Sequence, residues 1–156
     1  TANHLRDLEN LEFHVVSPPE DFSPKDDRIK IHRSVSDRDL LQLYRTSHLL
    51  FLPLKNATAN TFLLEGAACG LPVLSTERLS TRAYFPGNGA VLVPGNDPAA
   101  FADTIRFLYD NPGKRHAMSL AARRRARELG WDRMVEEYVT LYGKVARNQR
   151  KIRRVQ

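Results

Sequence analysis

The sequence contains a single cysteine and no long apolar run. With only Cys69 among 156 residues, the chain can form neither an internal disulfide nor a cysteine-based zinc cage. No apolar stretch approaches the roughly 20 residues that span a bilayer, and the N-terminal TANHLRDLEN lacks the basic and then apolar layout of a signal peptide. Hydrophobic residues make up 42% and charged residues 27%, proportions typical of one globular domain. We therefore expect a cytoplasmic protein with a substantial core.

Acidic residues are outnumbered by basic ones, which gives a formal net charge of +6 and a pI near 9.8. The excess lies late in the chain, in one cluster at 123–127 and a second at 144–154. Such clusters can bind nucleic acid, anionic lipid or an anionic substrate. Because no aromatic side chains interleave the second cluster to stack on bases, no nucleic-acid partner is expected. The favoured interpretation is a solvated helix face and a frayed tail, although the basic C-terminus is also compatible with peripheral contact at the inner face of a membrane.

Short apolar runs alternate with helical patterns along the first two thirds of the chain. The runs predict strands at 12–18, 29–35, 49–54, 72–76 and 89–94. Ser36 is the predicted N-cap of a helix, and Asp39 suits the first turn of that helix. From Asp97 onward the pattern predicts helices only, starting at Asp97 with Pro98, at Asn111 with Pro112, and after Gly130.

Strands that alternate with helices predict an α/β fold: a Rossmann-like, doubly wound parallel sheet with helices on both faces and further helices at the C-terminus. We assign residues 1–143 to this domain and 144–156 to a basic helix end or tail. Residues 1–13 have the pattern of a helix end followed by a second strand. The first strand is therefore expected upstream of this chain, which leaves a gap between the strands at 12–18 and 49–54. Ligands of such sheets bind beyond the carboxyl ends of the strands.

The segment NATANTFLLEGAACGLPVLST, residues 56–76, places one carboxylate, Glu65, in an otherwise apolar helix. The apolar neighbours are Phe62, Leu63, Leu64, Ala67 and Ala68. Because they occupy every face of the helix, we predict a helix enclosed by protein. A buried carboxylate needs hydrogen-bond partners, or it takes up a proton. One interpretation is a structural acid that backbone amides, Lys55 or Arg78 neutralise.

The loop before this helix favours a second interpretation of Glu65, as part of a ligand site. Thr58 or Asn60 is the predicted cap of the helix. The first N–H groups of a helix lie at the positive end of its dipole and bind phosphate. Thr61 and Glu65 are four residues apart, so they share one face at about 6 Å along the axis. A diphosphate at residues 60–62 would place its ribose beside Glu65, whose carboxylate can accept hydrogen bonds from both hydroxyls.

Four fragments follow one another in an order and spacing that resemble a known family. They are VSDRDLLQLYRTSHLLFLPL, LLEGAACGLPVLST, GAVLVPGNDPAAFADTI and GWDRMVEEYVTLY. The stretch from about Ile29 to Tyr142 resembles the C-terminal, donor-binding domain of retaining glycosyltransferases of the GT-B fold, the "glycosyl transferases group 1" family. The resemblance implies an enzyme of the hexosyltransferase type that transfers a sugar from a UDP-sugar or GDP-sugar to an acceptor. The acceptor would enter between this domain and an N-terminal domain outside this chain, so the chain alone should transfer nothing.

The resemblance also implies roles for individual residues, none of them catalytic. Glu65 would bind the ribose. The diphosphate and sugar would contact the helix start, at Thr58, Asn60, Thr61 and Phe62. The base would meet the backbone of Ser34 and Val35. Two basic side chains are candidate phosphate helpers, Lys55 and Arg78. The nucleotide-sugar is a substrate, so no cofactor is expected. No metal is expected either, because no DxD-like pair or histidine cluster lies beside the helix start.

Two positions depart from the pattern of the family. Many members have a glutamate followed by Gly-Phe-Gly where this chain has Ala57 followed by Thr58, and Arg33 replaces a usual glycine. Ala57 indicates either a subclass that holds its sugar differently, or a relative that has lost catalysis and only binds a nucleotide-sugar or a partner. A basic module that binds nucleic acid is a third, less favoured hypothesis.

Overall fold

The structure of the chain, a computed structural model, describes residues 1–56 and 60–152, with side chains up to residue 147. The predictions that concern Ala57 and Thr58, and those for the basic side chains at 150–154, lie outside the described residues. Among the helices that are described, none is long and apolar enough to cross a membrane.

The helices and strands follow in the order that the sequence predicts. A 3₁₀ helix at Ala2–Leu5 precedes the strands β1 (Phe13–Val16) and β2 (Ile29–His32). The next elements are α1 (Asp37–Thr46), β3 (Leu50–Leu52), α2 (Thr61–Ala68), β4 (Val73–Thr76), α3 (Leu79–Tyr84) and β5 (Ala90–Val93). The described part ends with α4 (Pro98–Asp110), α5 (Pro112–Glu128) and α6 (Trp131–Ile152). Each strand lies within its predicted run.

Local capping signals predict two helix starts correctly. The hydroxyl oxygen of Ser36 accepts a hydrogen bond from the backbone N–H of Asp39 at 3.2 Å, at the start of α1. The carboxylate of Asp97 accepts from the N–H of Ala99 at 2.9 Å, and Pro98 follows as the first residue of α4. In both helices a side-chain oxygen replaces the backbone acceptor that first-turn amides lack.

The strands form two parallel sheets. Strand β1 pairs with β2, and His14 lies opposite Lys30. In the second sheet β4 lies between β3 and β5, with Leu74 opposite both Phe51 and Val91. The predicted α/β fold with parallel strands is therefore confirmed. Strands β1 and β3 thus belong to different sheets, and the missing strand that a doubly wound order predicts between them stays a prediction.

Two apolar clusters cover opposite faces of the three-stranded sheet, since neighbouring strand residues such as Val73 and Leu74 point to opposite sides. The first cluster combines the 3₁₀ helix, β4, β5 and α4: Leu5, Leu74, Val93, Phe101, Ala102 and Ile105. The second combines α2, β4, the end of α3 and α5: Leu63, Ala67, Val73, Phe85 and Ala122. Phe13 of β1 and Phe51 of β3 both pack against the first cluster, which therefore joins the two sheets.

Two glycines allow close contact between layers. A Cβ atom at Gly66 of α2 would lie 2.7 Å from Cδ2 of Leu50 on β3. A Cβ atom at Gly89, just before β5, would lie 2.8 Å from both Cα and N of Ala122 on α5. The first contact is with the end of a flexible side chain, whereas the second is with backbone. Gly89 therefore sets how closely α5 approaches the sheet.

Candidate functional site

Helix α2 begins after the carboxyl end of β3, as the sequence predicts for the candidate site. Asn60 precedes the helix with an extended backbone (φ −141°, ψ 108°), but its side chain makes no capping hydrogen bond. Asn60 thus occupies the predicted N-cap position, but the prediction that its side chain caps the helix is wrong, and the same prediction for Thr58 lies outside the described residues. The Oδ1 atom of Asn60 is instead buried and has no hydrogen-bond partner in the described part of the chain. An unpaired buried oxygen of this kind costs about 1–3 kcal/mol.

Glu65 is exposed, so the prediction of an enclosed helix is wrong. Only one face of α2 is buried, through Leu63, Gly66 and Ala67. That face packs against β3 and α5, while Phe62 keeps 42% of its surface exposed. Thr61 and Glu65 share the exposed face, as their spacing predicts. The carboxylate is therefore accessible to a ligand one helical turn below the start of α2.

Glu65 has a hydrogen-bond partner that sequence reasoning did not identify. The hydroxyl of Tyr44, on α1, donates to Oε2 of Glu65 at 3.0 Å. Burial, and then the hydrogen bond to the Glu65 carboxylate, raise the pKa of Tyr44 well above its usual range, so its hydroxyl stays protonated. In the sequence, Leu40, Leu43 and Tyr44 are spaced as one apolar stripe of a helix, yet a buried tyrosine hydroxyl needs an acceptor. That requirement is the sequence signal from which a contact between Tyr44 and Glu65 could have been predicted.

Arg78 stabilises the loop that leaves β3. Its Nε and Nη2 atoms donate to the carbonyl of Lys55 at 3.1 and 3.0 Å, and Nη1 donates to the carbonyl of Glu77 at 3.1 Å. The ion pairs of the described residues do not include Glu65, so neither Lys55 nor Arg78 neutralises that carboxylate as the structural interpretation predicts. The guanidinium of Arg78 therefore binds backbone carbonyls beside the candidate site.

The predicted base-binding residues, Ser34 and Val35, follow β2 in the other sheet. Ser34 is exposed and has a left-handed backbone with φ of 51°, which is uncommon for a residue other than glycine. The guanidinium of Arg33 beside it donates to four backbone carbonyls of the loop after β1, at distances of 3.1–3.4 Å: Pro18, Pro19, Glu20 and Phe22. Arg33 therefore ties the loop after β1 to the loop after β2.

A basic groove lies elsewhere on the surface, between α5 and the start of α6. Its volume is about 550 Å³, and its lining consists of Leu120, Arg123, Arg124, Arg127, Glu128 and Arg133. None of these residues belongs to α2 or to the loop before it. We assign the candidate site to the start of α2 because the unpaired oxygen of Asn60 precedes this helix and the accessible carboxylate of Glu65 lies in its second turn.

Two parallel sheets with helices on both sides are similar to a domain of a GT-B glycosyltransferase. The described fold resembles sucrose-phosphate synthase from Thermosynechococcus elongatus, with a TM-score of 0.68 and 22% sequence identity. The similarity covers 78% of this chain and 31% of that protein. At this identity the similarity establishes the fold alone.

The chain belongs to the family described as "Glycosyl transferase-like", which matches residues 2–140. D-inositol 3-phosphate glycosyltransferase from Salinispora tropica is 33% identical over 126 residues, covering 80% of this chain and 26% of that protein. The protein of the same description from Salinispora arenicola is 37% identical over 107 residues, covering 67% of this chain and 24% of that protein. The chain thus spans about a quarter of the length of these relatives.

Proposed function

We propose that the chain is the donor-binding part of a retaining glycosyltransferase that takes a hexose from a UDP-sugar or GDP-sugar. The observation that carries the proposal is the position of Glu65. Its carboxylate is exposed one turn below a helix start that no side chain of the described residues caps. Its Oε2 atom accepts one hydrogen bond from Tyr44, so most of its acceptor positions are left for a ligand.

The roles proposed for the nucleotide follow from this arrangement. The first N–H groups of α2, at Thr61 and Phe62, would bind the diphosphate, and the Glu65 carboxylate would accept from the ribose hydroxyls. The amide side chain of Asn60, with its unpaired oxygen, would contact a hydroxyl of the sugar. We propose that Thr58 also contacts the sugar and the diphosphate. The backbone of Ser34 and Val35 would contact the base.

Transfer requires that a nucleoside diphosphate leaves while negative charge develops on its oxygens. Helix N–H groups are fixed donors that stabilise such charge without reorganisation. Lys55 is exposed at the loop before α2 and would add a positive charge, whereas the donors of Arg78 already bind backbone carbonyls. Arg78 would then help the phosphates only by holding the loop. We propose that these groups suffice without a divalent ion, so that EDTA leaves donor binding unchanged.

Calorimetric titration of the full-length protein with UDP and with GDP tests the proposal. One of the two nucleotides should bind, and Glu65→Ala should weaken that binding by about 10-fold to 100-fold, because hydrogen bonds to a charged group contribute about 1.5–3 kcal/mol each. Glu136→Ala removes an exposed carboxylate on α6 and is the matched control. If neither nucleotide binds, or if Glu65→Ala binds as tightly as the unaltered protein, the assignment of the site is wrong.

Peripheral membrane contact through residues 144–156 stays a prediction, because most of those side chains lie outside the described residues. What supports it is the charge of the segment together with the exposed aromatic side chains of α6 before it, among them Trp131 and Tyr142. Sedimentation of the full-length protein with vesicles that contain anionic lipid would test this contact. Loss of binding on deletion of residues 144–156 is the expected result, and unchanged binding would contradict it.

A further inference from the structure

Tyr44 is the described residue whose side chain meets the candidate ribose carboxylate. It lies in the last turn of α1 and is only 8% exposed. Helical side chains lean toward the N-terminus of their own helix, so the ring of Tyr44 extends toward the start of α1 at the carboxyl end of β2. Its hydroxyl ends 3.0 Å from Oε2 of Glu65, on the exposed face of α2.

The contact fixes a carboxylate that would otherwise move freely. An exposed glutamate has several rotatable bonds, and ordering it during ligand binding costs rotamer entropy. Tyr44 belongs to the buried side of α1, so its hydroxyl has a defined position from which to hold Glu65. An ionised carboxylate offers about four acceptor positions, of which Tyr44 occupies one. Enough positions remain for the two hydroxyls of a ribose.

We propose that Tyr44 is a positioning residue, which orients the Glu65 carboxylate toward the ribose diol before the nucleotide binds. This inference rests on the proposed function, since it assumes that Glu65 accepts from a ribose. It adds a specificity role: Tyr44 contributes to the preference for ribonucleotides over 2′-deoxyribonucleotides without touching the nucleotide. A tyrosine that only fills the core would affect stability and leave that preference unchanged.

The test measures the preference itself, in the full-length protein, by titration with the nucleoside diphosphate that binds and with its 2′-deoxy analogue. We expect the unaltered protein to prefer the ribonucleotide by about tenfold, the value of one hydrogen bond to a charged group. Tyr44→Phe should reduce the preference to about twofold to threefold, mainly by weakening ribonucleotide binding. In a Glu65→Ala background, Tyr44→Phe should produce no further change in the preference, because the two residues act through one carboxylate.

Tyr109→Phe is the matched control. The hydroxyl of Tyr109 donates to the carbonyl of Glu9 at 2.8 Å, so this variant also removes one tyrosine hydrogen bond, at a place remote in sequence from α1 and α2. It should keep the full preference for the ribonucleotide. Thermal unfolding of both variants separates a loss of fold from a loss of positioning, and Tyr44→Met repeats the test if the phenylalanine variant does not fold.

The outcomes separate this inference from the proposed function. If Tyr44→Phe keeps the preference of the unaltered protein while Glu65→Ala abolishes it, Tyr44 is a core residue and the inference is overturned, although the proposed function stands. If the unaltered protein binds neither nucleotide, the proposed function fails and the inference fails with it.

Discussion

Strand β4 is buried along its whole length, whereas each residue of β1 and β2 keeps part of its surface exposed. The three-stranded sheet is covered by α4 on one face and by α2 and α5 on the other. Beside the two-stranded sheet, arginine side chains bind backbone: Arg28 donates to the carbonyls of Ala2 and Leu5, and Arg33 to those of the loop after β1. Packing therefore covers both faces of one sheet, whereas hydrogen bonds from arginines add to the packing of Phe13 in the other half.

The comparison bears on the candidate site, because the proposed ligand contacts fall in both halves. Glu65 and the start of α2 lie on the packed half, and Ser34 and Val35 lie on the half that arginines hold. We expect the packed half to respond to changes in side-chain volume and the other half to changes in charge and pH. The proposed phosphate and ribose contacts should therefore be the more robust part of the site.

The largest effect should follow from added volume in the packed half. Gly89→Ala places a methyl group 2.8 Å from the backbone of Ala122, and a helix backbone cannot move away as a side chain end can. We expect the free energy of unfolding to fall by about 2–3 kcal/mol, measured by urea denaturation. Gly87→Ala is the control, since a Cβ atom there meets nothing within 4 Å. Equal stability of the two variants would contradict the close packing of α5 against Gly89.

A smaller effect should follow from removal of an arginine in the other half. Arg33→Met keeps most of the aliphatic side chain but removes all four hydrogen bonds to the loop after β1. Because the site is exposed to water, we expect a loss of about 1 kcal/mol, with faster proteolysis of residues 18–22. Arg38→Met, at an exposed arginine of α1 without a hydrogen bond or ion pair in the described part of the chain, should change neither measurement. If Arg33→Met is proteolysed at the same rate as the unaltered protein, Arg33 does not stabilise the loop after β1.

The smallest effect concerns pH and the ion pair between Asp26 and Arg28. Hydrogen bonds from the Arg28 side chain and backbone lower the pKa of Asp26 to about 2 from an ordinary value of 3.8. Because the folded-state pKa is depressed, the contribution of Asp26 to stability is complete above about pH 5 and is lost as the pH falls toward about 2.

The difference in stability between the unaltered protein and Asp26→Asn should therefore be constant above about pH 5 and shrink below about pH 4. Urea denaturation at several pH values measures it. In an Arg28→Met background the same substitution should have little effect at any pH. A difference that stays constant down to about pH 3 would show that Arg28 does not control this carboxylate.

The order of elements could be predicted because its signals are local. Ser36 and Asp97 with Pro98 mark helix starts by their own side chains, and the apolar runs lie where the strands are found. The family resemblance rests on the order and spacing of four fragments, each of which is itself a short local pattern. These features depend on the chemistry of a few neighbouring residues, so they do not depend on tertiary contacts.

The details of the site could not be predicted, since they depend on contacts between distant residues. Glu65 looked buried because its neighbours in α2 are apolar, but only tertiary packing decides that Leu63 and Ala67, not Phe62, face the core. Tyr44 lies 21 residues before its carboxylate partner. Arg78 looked like a free cation, yet it binds a carbonyl 23 residues away. The periodicity of a sequence does not indicate which distant residues contact one another.

Hydrogen–deuterium exchange of the full-length protein, with and without saturating UDP or GDP, tests most directly that the start of α2 and Glu65 bind a nucleotide. The account predicts slower exchange in the peptide that covers residues 60–69, and loss of that protection in Glu65→Ala. Protection confined to residues 120–133, which line the basic groove, would contradict it by placing the anion-binding site on α5 and α6.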